Sequence, residues 1–304
     1  MDVSTTVSRL LDHQKLRCSS EQEQVGGGGI NVAMVTQSLG SNVGAFWPIG
    51  GWRGKEILDR LVRDGIQSIN TPIAQENRQC FTVYETETQH EYRFVLPGPT
   101  LSETEQAACL SSILAHLPRQ FLVLSGSLPL GVEPDFYATV IHAVRQRNPR
   151  LRIVVDTSGP ALSAALAAGV FLFKPSREEF VALTGQTQGS LLDDVARCRD
   201  LIRAGSAQIV ALTMGAEGSL VVSEGLAMRV PALKVNVTST VGAGDSYVGG
   251  FIHAYAQTDD LAHAAKLGTA AAAAALQTQG KLAFDTIQIQ KLADQVVAEV
   301  VAPA

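Results

Sequence analysis

Short apolar runs recur along this chain, and each stops at a polar or glycine-bearing turn. Phe121-Leu122-Val123-Leu124 meets Ser125-Gly126-Ser127-Leu128-Pro129, and Ile153-Val154-Val155 meets Asp156-Thr157-Ser158-Gly159. Phe171-Leu172-Phe173 meets Lys174-Pro175-Ser176, and Ile209-Val210-Ala211-Leu212 meets Thr213-Met214-Gly215. Unbroken apolar runs of this length predict strands covered on both faces, as in a parallel sheet. Leu233-Lys234-Val235-Asn236-Val237 alternates and is rich in β-branched residues, which predicts a further strand. Helical patterns lie between the strands: from the glycine run at Gly26 to about Leu39-Gly40, from Lys55 to Asp64, from Tyr247 to Tyr255 and from Leu261 to Leu276. The last is built on Ala270 to Ala275, alanine being the best helix former. After Gln279-Gly280 the spacing predicts an amphipathic helix around Ile289 to Val301. From Gln79 to Leu96 the pattern changes to alternation, with Phe81, Val83 and Tyr84 before a polar tip and Tyr92, Phe94 and Val95 after it. That predicts two antiparallel strands in a small separate sheet. Elsewhere strands alternate with helices, so the fold class is α/β with a mainly parallel sheet covered on both faces.

The composition suits one large domain over 1–304: 304 residues, 46% hydrophobic and 17% charged. A net charge of −5 with no dense basic run gives a nucleic-acid partner no electrostatic footing. Cys18, Cys80, Cys109 and Cys198 are scattered without metal-ligand spacing, which suits reduced thiols in the cytoplasm. No apolar run reaches membrane-spanning length and no signal pattern opens the chain, so no membrane role is expected.

The chemistry concentrates at Thr240-Val241-Gly242-Ala243-Gly244-Asp245-Ser246. A glycine turn that opens a helix aims free N–H groups at one point, at the positive end of the helix dipole, and makes an anion site suited to phosphate. Asp245 has two readings there: a cap or dipole partner of its own helix, or a base that takes the proton of an attacking hydroxyl. A second glycine run, Gly26-Gly27-Gly28-Gly29-Ile30-Asn31, enters a helix at once, unlike a flexible linker. It is no dinucleotide fingerprint, because the sixth position is Asn31, and a dehydrogenase is excluded with it.

Val241 to Ser246 resembles the C-terminal signature of the ribokinase-like (PfkB) carbohydrate kinases, and the other segments follow in that family's order. Gly26 to Ala33 is similar to its N-terminal signature, and the four-glycine form, with Gly28 where many relatives carry lysine, is closest to the minor bacterial 6-phosphofructokinase type. Tyr92-Arg93-Phe94-Val95-Leu96-Pro97-Gly98 and Ser125-Gly126-Ser127-Leu128-Pro129 match as well. The resemblance spans the whole chain except the opening. There the family begins with an apolar strand ending before a sugar-binding aspartate, to which Asp2 aligns, so the strand is missing. The expectation is that the start was assigned too late, since a lost strand would leave unpaired backbone in the sheet.

The resemblance implies a ribokinase-like α/β/α fold with a β lid, from about 3–25 and 78–97, that also forms a homodimer. It implies ATP-dependent phosphorylation of a sugar phosphate, foremost fructose 6-phosphate, with Asp245 as general base and the amides of Gly242, Ala243 and Gly244 as anion hole. Asp2, Gly27, Gly28, Asn31 and Ser127 would orient the sugar. The turn over Phe46 to Gly54 would line its pocket. Lys15 would meet the sugar's phosphate or the transferring group, and Arg93 would bind that phosphate, reaching in from the neighbouring subunit. Lys174, Thr213, Gly215 and Gly218 would line the nucleotide. Mg²⁺ would be placed through water by Glu179, with Ser176 standing where the family has asparagine; a monovalent cation is left open. The alternatives are a 1-phosphofructokinase or tagatose-6-phosphate kinase, against which Gly28 and Tyr92 to Gly98 argue, and a regulatory protein that binds sugar phosphate and ATP without turnover.

Overall fold

The structure, a computed structural model, describes residues 1–186, 189–278 and 285–303; Gln279-Gly280, after which the C-terminal helix is expected, lies outside them. The first half of the chain runs β1 (Asp2–Val7), β2 (Glu21–Gln24), α1 (Gly28–Ser38), β3 (Gly44–Ile49), α2 (Gly51–Arg63), β4 (Gln67–Pro72), β5 (Cys80–Glu85), β6 (His90–Val95), α3 (Glu103–Ala115) and β7 (Phe121–Ser125). It continues α4 (Phe136–Arg147), β8 (Arg152–Asp156), α5 (Gly159–Ala167), β9 (Val170–Phe173), α6 (Arg177–Thr184), α7 (Leu191–Arg203) and β10 (Ala207–Thr213). The last part is β11 (Ser219–Ser223), β12 (Leu226–Val230), α8 (Ala243–Thr258), α9 (Leu261–Leu276), α10 (Thr286–Ala293) and β13 (Glu299–Pro303).

Among the described residues the strands form three sheets. The main one has the order β13-β12-β11-β10-β9-β8-β7, parallel from β7 to β10 and antiparallel from there to β13. The lid sheet has the order β2-β1-β5-β6, with β1 antiparallel to β2 and parallel to β5. The third is the parallel pair β3-β4, which no ladder hydrogen bond joins to β7.

The main sheet is buried on both faces because its central strands carry consecutive apolar residues, and the pleat sends alternate ones to opposite sides. Val154, Ile209 and Ala211 face the layer of α1, α8, α9 and α10. Ile153, Val155, Val210 and Leu212 face the layer of α4 to α7. Parallel strands end on the same side, so the turns after β7, β8, β9 and β10 gather at one edge, where ligands of such sheets bind.

Two expected elements differ. Leu233 to Val237 is not a strand: the edge of β12 that it would pair with is occupied by β13, and Lys234, Asn236 and Val237 stand exposed. The amides of Thr238 and Ser239 are held instead by the Leu276 carbonyl at the end of α9. The C-terminal helix stops at Ala293, well before Val301, and Glu299–Pro303 joins the sheet. The β-branched pair Val300-Val301 favours a pleated edge over another helical turn.

Candidate active site

The site is organised by the N-terminus of α8. Its N-cap, Gly242, has φ +78°, a left-handed conformation that a side chain would strain. This turn leaves the amides of Gly244 and Asp245 without a hydrogen-bond partner among the described residues, both at the positive end of the helix. Asp245 does not cap its own helix. Its Oδ2 accepts a hydrogen bond from Asn31 Nδ2 at 2.7 Å, across from α1. Burial pushes the Asp245 carboxyl up to about 6, the Asn31 hydrogen bond opposing it and the nearby Asp156 charge adding to it. A carboxyl tuned toward neutral pH and turned away from its helix is arranged as a proton acceptor, and the capping reading falls.

The N-terminus of α1 presses against the same point. A Cβ on Gly28 would lie 2.3 Å from Ser125 Oγ and 3.2 Å from Asp245 Oδ1, so α1 runs close against both side chains there. Gly27, with nothing within 4 Å of its Cβ position, faces open space. Gly26 abuts the Asp2 carboxylate, whose Oδ2 lies 3.5 Å from Arg93 Nη2. Arg93 thus lies beside the Asp2 carboxylate of its own chain. Asp2, Gly28, Asn31, Arg93 and Asp245 are brought together.

On the other flank, Lys174 is 6% exposed and its Nζ is 3.1 Å from Asp156 Oδ1. The same Nζ lies 3.3 Å from where a Gly244 Cβ would be, against the first turn of α8. Burial pushes the Asp156 carboxyl up, Lys174 opposes this, and the charge of Glu179 raises it further. Thr213 is tied to Pro175 by its amide at 2.9 Å and its hydroxyl at 3.2 Å, which fixes the turn after β9 beside the turn after β10. Gly215 has open space where a side chain would be.

Several expected residues stand otherwise. Ser176 and Glu179 form a capping box on α6: Glu179 Oε2 accepts from the Ser176 amide at 2.7 Å, and Ser176 Oγ accepts from the Glu179 amide at 3.2 Å. Ser176 Oγ thus gives one lone pair to its helix and keeps its O–H and a second lone pair, and one Glu179 oxygen is left to face a ligand. Gly218 is required by packing, since its Cβ would sit 2.1 Å from the Val230 carbonyl oxygen. Lys15 is exposed in the loop between β1 and β2.

Two residues were not singled out from the sequence. Arg78 extends to Ser127, Nη2 to Oγ 3.4 Å, and adds a second guanidinium on the acceptor flank. Nothing in the pattern around Arg78 marked it. Asp156 could have been found, because an acid at the end of one buried strand faces the lysine at the end of the next. Among the described residues no three His, Cys, Asp or Glu side chains gather into a metal site by themselves. The buried acid Asp156 beside Glu179 at the phosphate end of α8 does fit a divalent cation that brings most of its ligands as phosphate and water.

The family model described as pfkB family carbohydrate kinase matches residues 1–286. ATP-dependent 6-phosphofructokinase isozyme 2 of Mycobacterium tuberculosis is 35% identical over 292 residues, 96% of this chain and 85% of the relative. The isozyme 2 of Escherichia coli is 34% identical over 282 residues, 92% and 90% of the two chains. The phosphofructokinase-2 of Escherichia coli in complex with substrates and products superposes with a TM-score of 0.92, at 32% identity, covering 97% of this chain and 95% of that one. That protein has also been solved with potassium and in a tetrameric inhibited form.

Proposed function

Because the chain belongs to the pfkB family of carbohydrate kinases, we propose that it transfers the γ-phosphoryl group of ATP to the 1-hydroxyl of fructose 6-phosphate. The observation that carries this is the Asp245 carboxylate, held off its own helix by Asn31 at the mouth of an unpaired helix N-terminus. Asp245 accepts the proton of the sugar hydroxyl as the oxygen attacks. The new bond joins that oxygen to the γ-phosphorus, and the bond to the bridging oxygen of ADP breaks. Of the three amides expected in the anion hole, that of Ala243 donates to the Thr240 carbonyl at 3.4 Å. Those of Gly242 and Gly244, with the unpaired amide of Asp245, would face the transferring oxygens, a contribution of roughly 3–4 kcal/mol per donor in comparable anion holes. Lys174, 3.1 Å from the Asp156 carboxylate and against the first turn of α8, supports the same charge. Mg²⁺, placed near Asp156 and Glu179, would neutralise phosphate charge when bound. Arg78 and Arg93 flank the acceptor side, where a bidentate guanidinium suits the 6-phosphate.

The structure of the Escherichia coli relative in complex with potassium supports a monovalent cation here too. A second copy of the chain would cover the lid, where Phe94, Val95 and Leu96 are 49%, 56% and 42% exposed in one strand and its exit. No described helix is long and apolar enough to cross a membrane, and the four cysteines are free, in keeping with a cytoplasmic enzyme.

The test is a coupled ADP-release assay with Mg²⁺-ATP against fructose 6-phosphate, fructose 1-phosphate, tagatose 6-phosphate and ribose. The highest kcat/KM is expected for fructose 6-phosphate. A preference for another acceptor would change the substrate, and ATP binding without turnover of any would replace the kinase reading with a regulatory one.

The pH profile follows from Asp245. The base works only when ionised, so kcat/KM is expected to fall about tenfold per pH unit below roughly pH 6. A phosphate substrate titrates in the same range, so the diagnostic is Asn31→Ala. Loss of that hydrogen bond removes the influence that lowers the carboxyl, and the acid limb should move to higher pH. An unmoved limb would assign it to the substrate.

A further inference from the structure

The turn that carries Ser127 is held from behind by two hydroxyls that the reaction does not use. Gly126, at φ +94°, follows β7 directly. Its carbonyl oxygen accepts from Tyr137 Oη at 3.0 Å and from Thr157 Oγ1 at 2.9 Å, which fills both lone pairs. Its amide donates to the Asp156 carbonyl at 3.0 Å. Tyr137 lies on α4 and Thr157 follows β8, so the clamp is drawn from two separate elements. Burial and the Asp156 charge push the Tyr137 phenol up to about 12, so it stays a donor at any working pH. A trans peptide sets its N–H opposite its C=O. With the Gly126 carbonyl turned inward, the Ser127 N–H must point the other way, and it has no partner among the described residues. The Ser127 hydroxyl on that outer side already lies beside Arg78.

We propose that Tyr137 and Thr157 are positioning residues for the acceptor: by donating to the Gly126 carbonyl they aim the Ser127 amide and hydroxyl at the bound sugar phosphate. Asp156 and Thr157 then join the two halves of the site. One holds Lys174 through its carboxylate and the turn through its carbonyl, while the other holds the same turn through its hydroxyl. The assignment rests on the sugar-phosphate kinase reading above.

The test compares Tyr137→Phe, Thr157→Val, the double variant and Thr157→Ser. Each single loss leaves one donor on the carbonyl, and the KM for the preferred acceptor should rise about 3- to 10-fold. The double variant frees the peptide to turn, so its KM should rise by more than the product of the two single effects. The KM for ATP should change by less than about 2-fold, and kcat should fall less than the acceptor KM rises. Thr157→Ser keeps the hydroxyl and should restore near-parental KM. If the double variant does not fold, the contrast of Thr157→Val with Thr157→Ser decides. An acceptor KM unchanged in Thr157→Val and in the double variant would overturn the clamp alone. Equal rises in the acceptor and ATP values would reduce it to general loosening, and overturn it too. A parent enzyme that phosphorylates none of the sugars would overturn the kinase reading, and the clamp with it.

Discussion

Asp245→Asn is expected to lower kcat by at least about 10³ while leaving ATP binding in place. The asparagine has the same shape and can still meet Asn31, so the acceptor and nucleotide pockets keep their walls. Only the proton acceptor is lost. The same substitution should not cost stability at pH 8. A carboxyl whose folded value, about 6, lies above its ordinary value of 3.8 binds its proton more tightly in the folded chain. Stability therefore falls as pH rises between those two values, and the cost is complete above them. Removing the ionisable group removes that cost, so the melting temperature at pH 8 should rise. Kinetics by coupled ADP release and a thermal melt at pH 8 check both halves. A near-normal rate would take Asp245 out of the mechanism.

Gly250→Val is expected to lower the melting temperature by about 5 °C or more, the scale of a few kcal/mol of overpacking in a protein of this size. Gly250 sits where α8 crosses α9 at its closest. A Cβ there would be 2.7 Å from the Leu267 carbonyl oxygen, 2.9 Å from Ala271 Cβ and 3.1 Å from Gly268 Cα. Two of those atoms are backbone, which cannot rotate away. On its other side α8 is packed equally tightly, with the Gly249 Cβ position 2.8 Å from Val35 Cγ1 of α1. The helix can only relieve the clash by shifting along its length, and its first turn holds the base and the anion hole. A displacement of about 1 Å is enough to cost roughly 10²-fold in rate, so kcat should drop with Tm. Circular dichroism melts and the ADP assay measure the two. An unchanged melting temperature would mean that the α8–α9 contact can open without loss.

The central strands were legible because their burial is two-sided, and a run such as Val154-Val155 has no other stable placement. The site was legible where chemistry forces residue type: glycine at the left-handed cap of α8 and an acid after it. What could not be read was any contact set by the path of two distant segments. Arg78 meets Ser127 only because the lid folds over the main sheet. The Ser176–Glu179 box is different, a local Ser-x-x-Glu spacing that was present in the sequence and not used. The segment at Leu233 had the alternation of a strand, but pattern does not say which sheet edges are vacant. The C-terminus erred the other way: an amphipathic spacing continued past Ala293, and the valines beyond it answered to a free edge of β12.

The separation of the β3-β4 pair from the main sheet bears on how the molecule comes apart. Across that seam no ladder hydrogen bonds run, and the joint is made by side chains, with Phe46 of β3 packed among Leu124, Phe136 and their neighbours and α1 lying over both β3 and β7. Cooperativity between two regions depends on how much they share, and these share side-chain packing and a few hydrogen bonds such as Asn31 to Asp245 and Arg78 to Ser127, without a continuous ladder. The lid strands belong to the side that carries Arg78 and Arg93, whereas Lys174, Thr213 and α8 belong to the other. Local opening along this line would dissolve the grip on the acceptor while the half that grips ATP is still folded, so the two ligands protect different foldons of one chain.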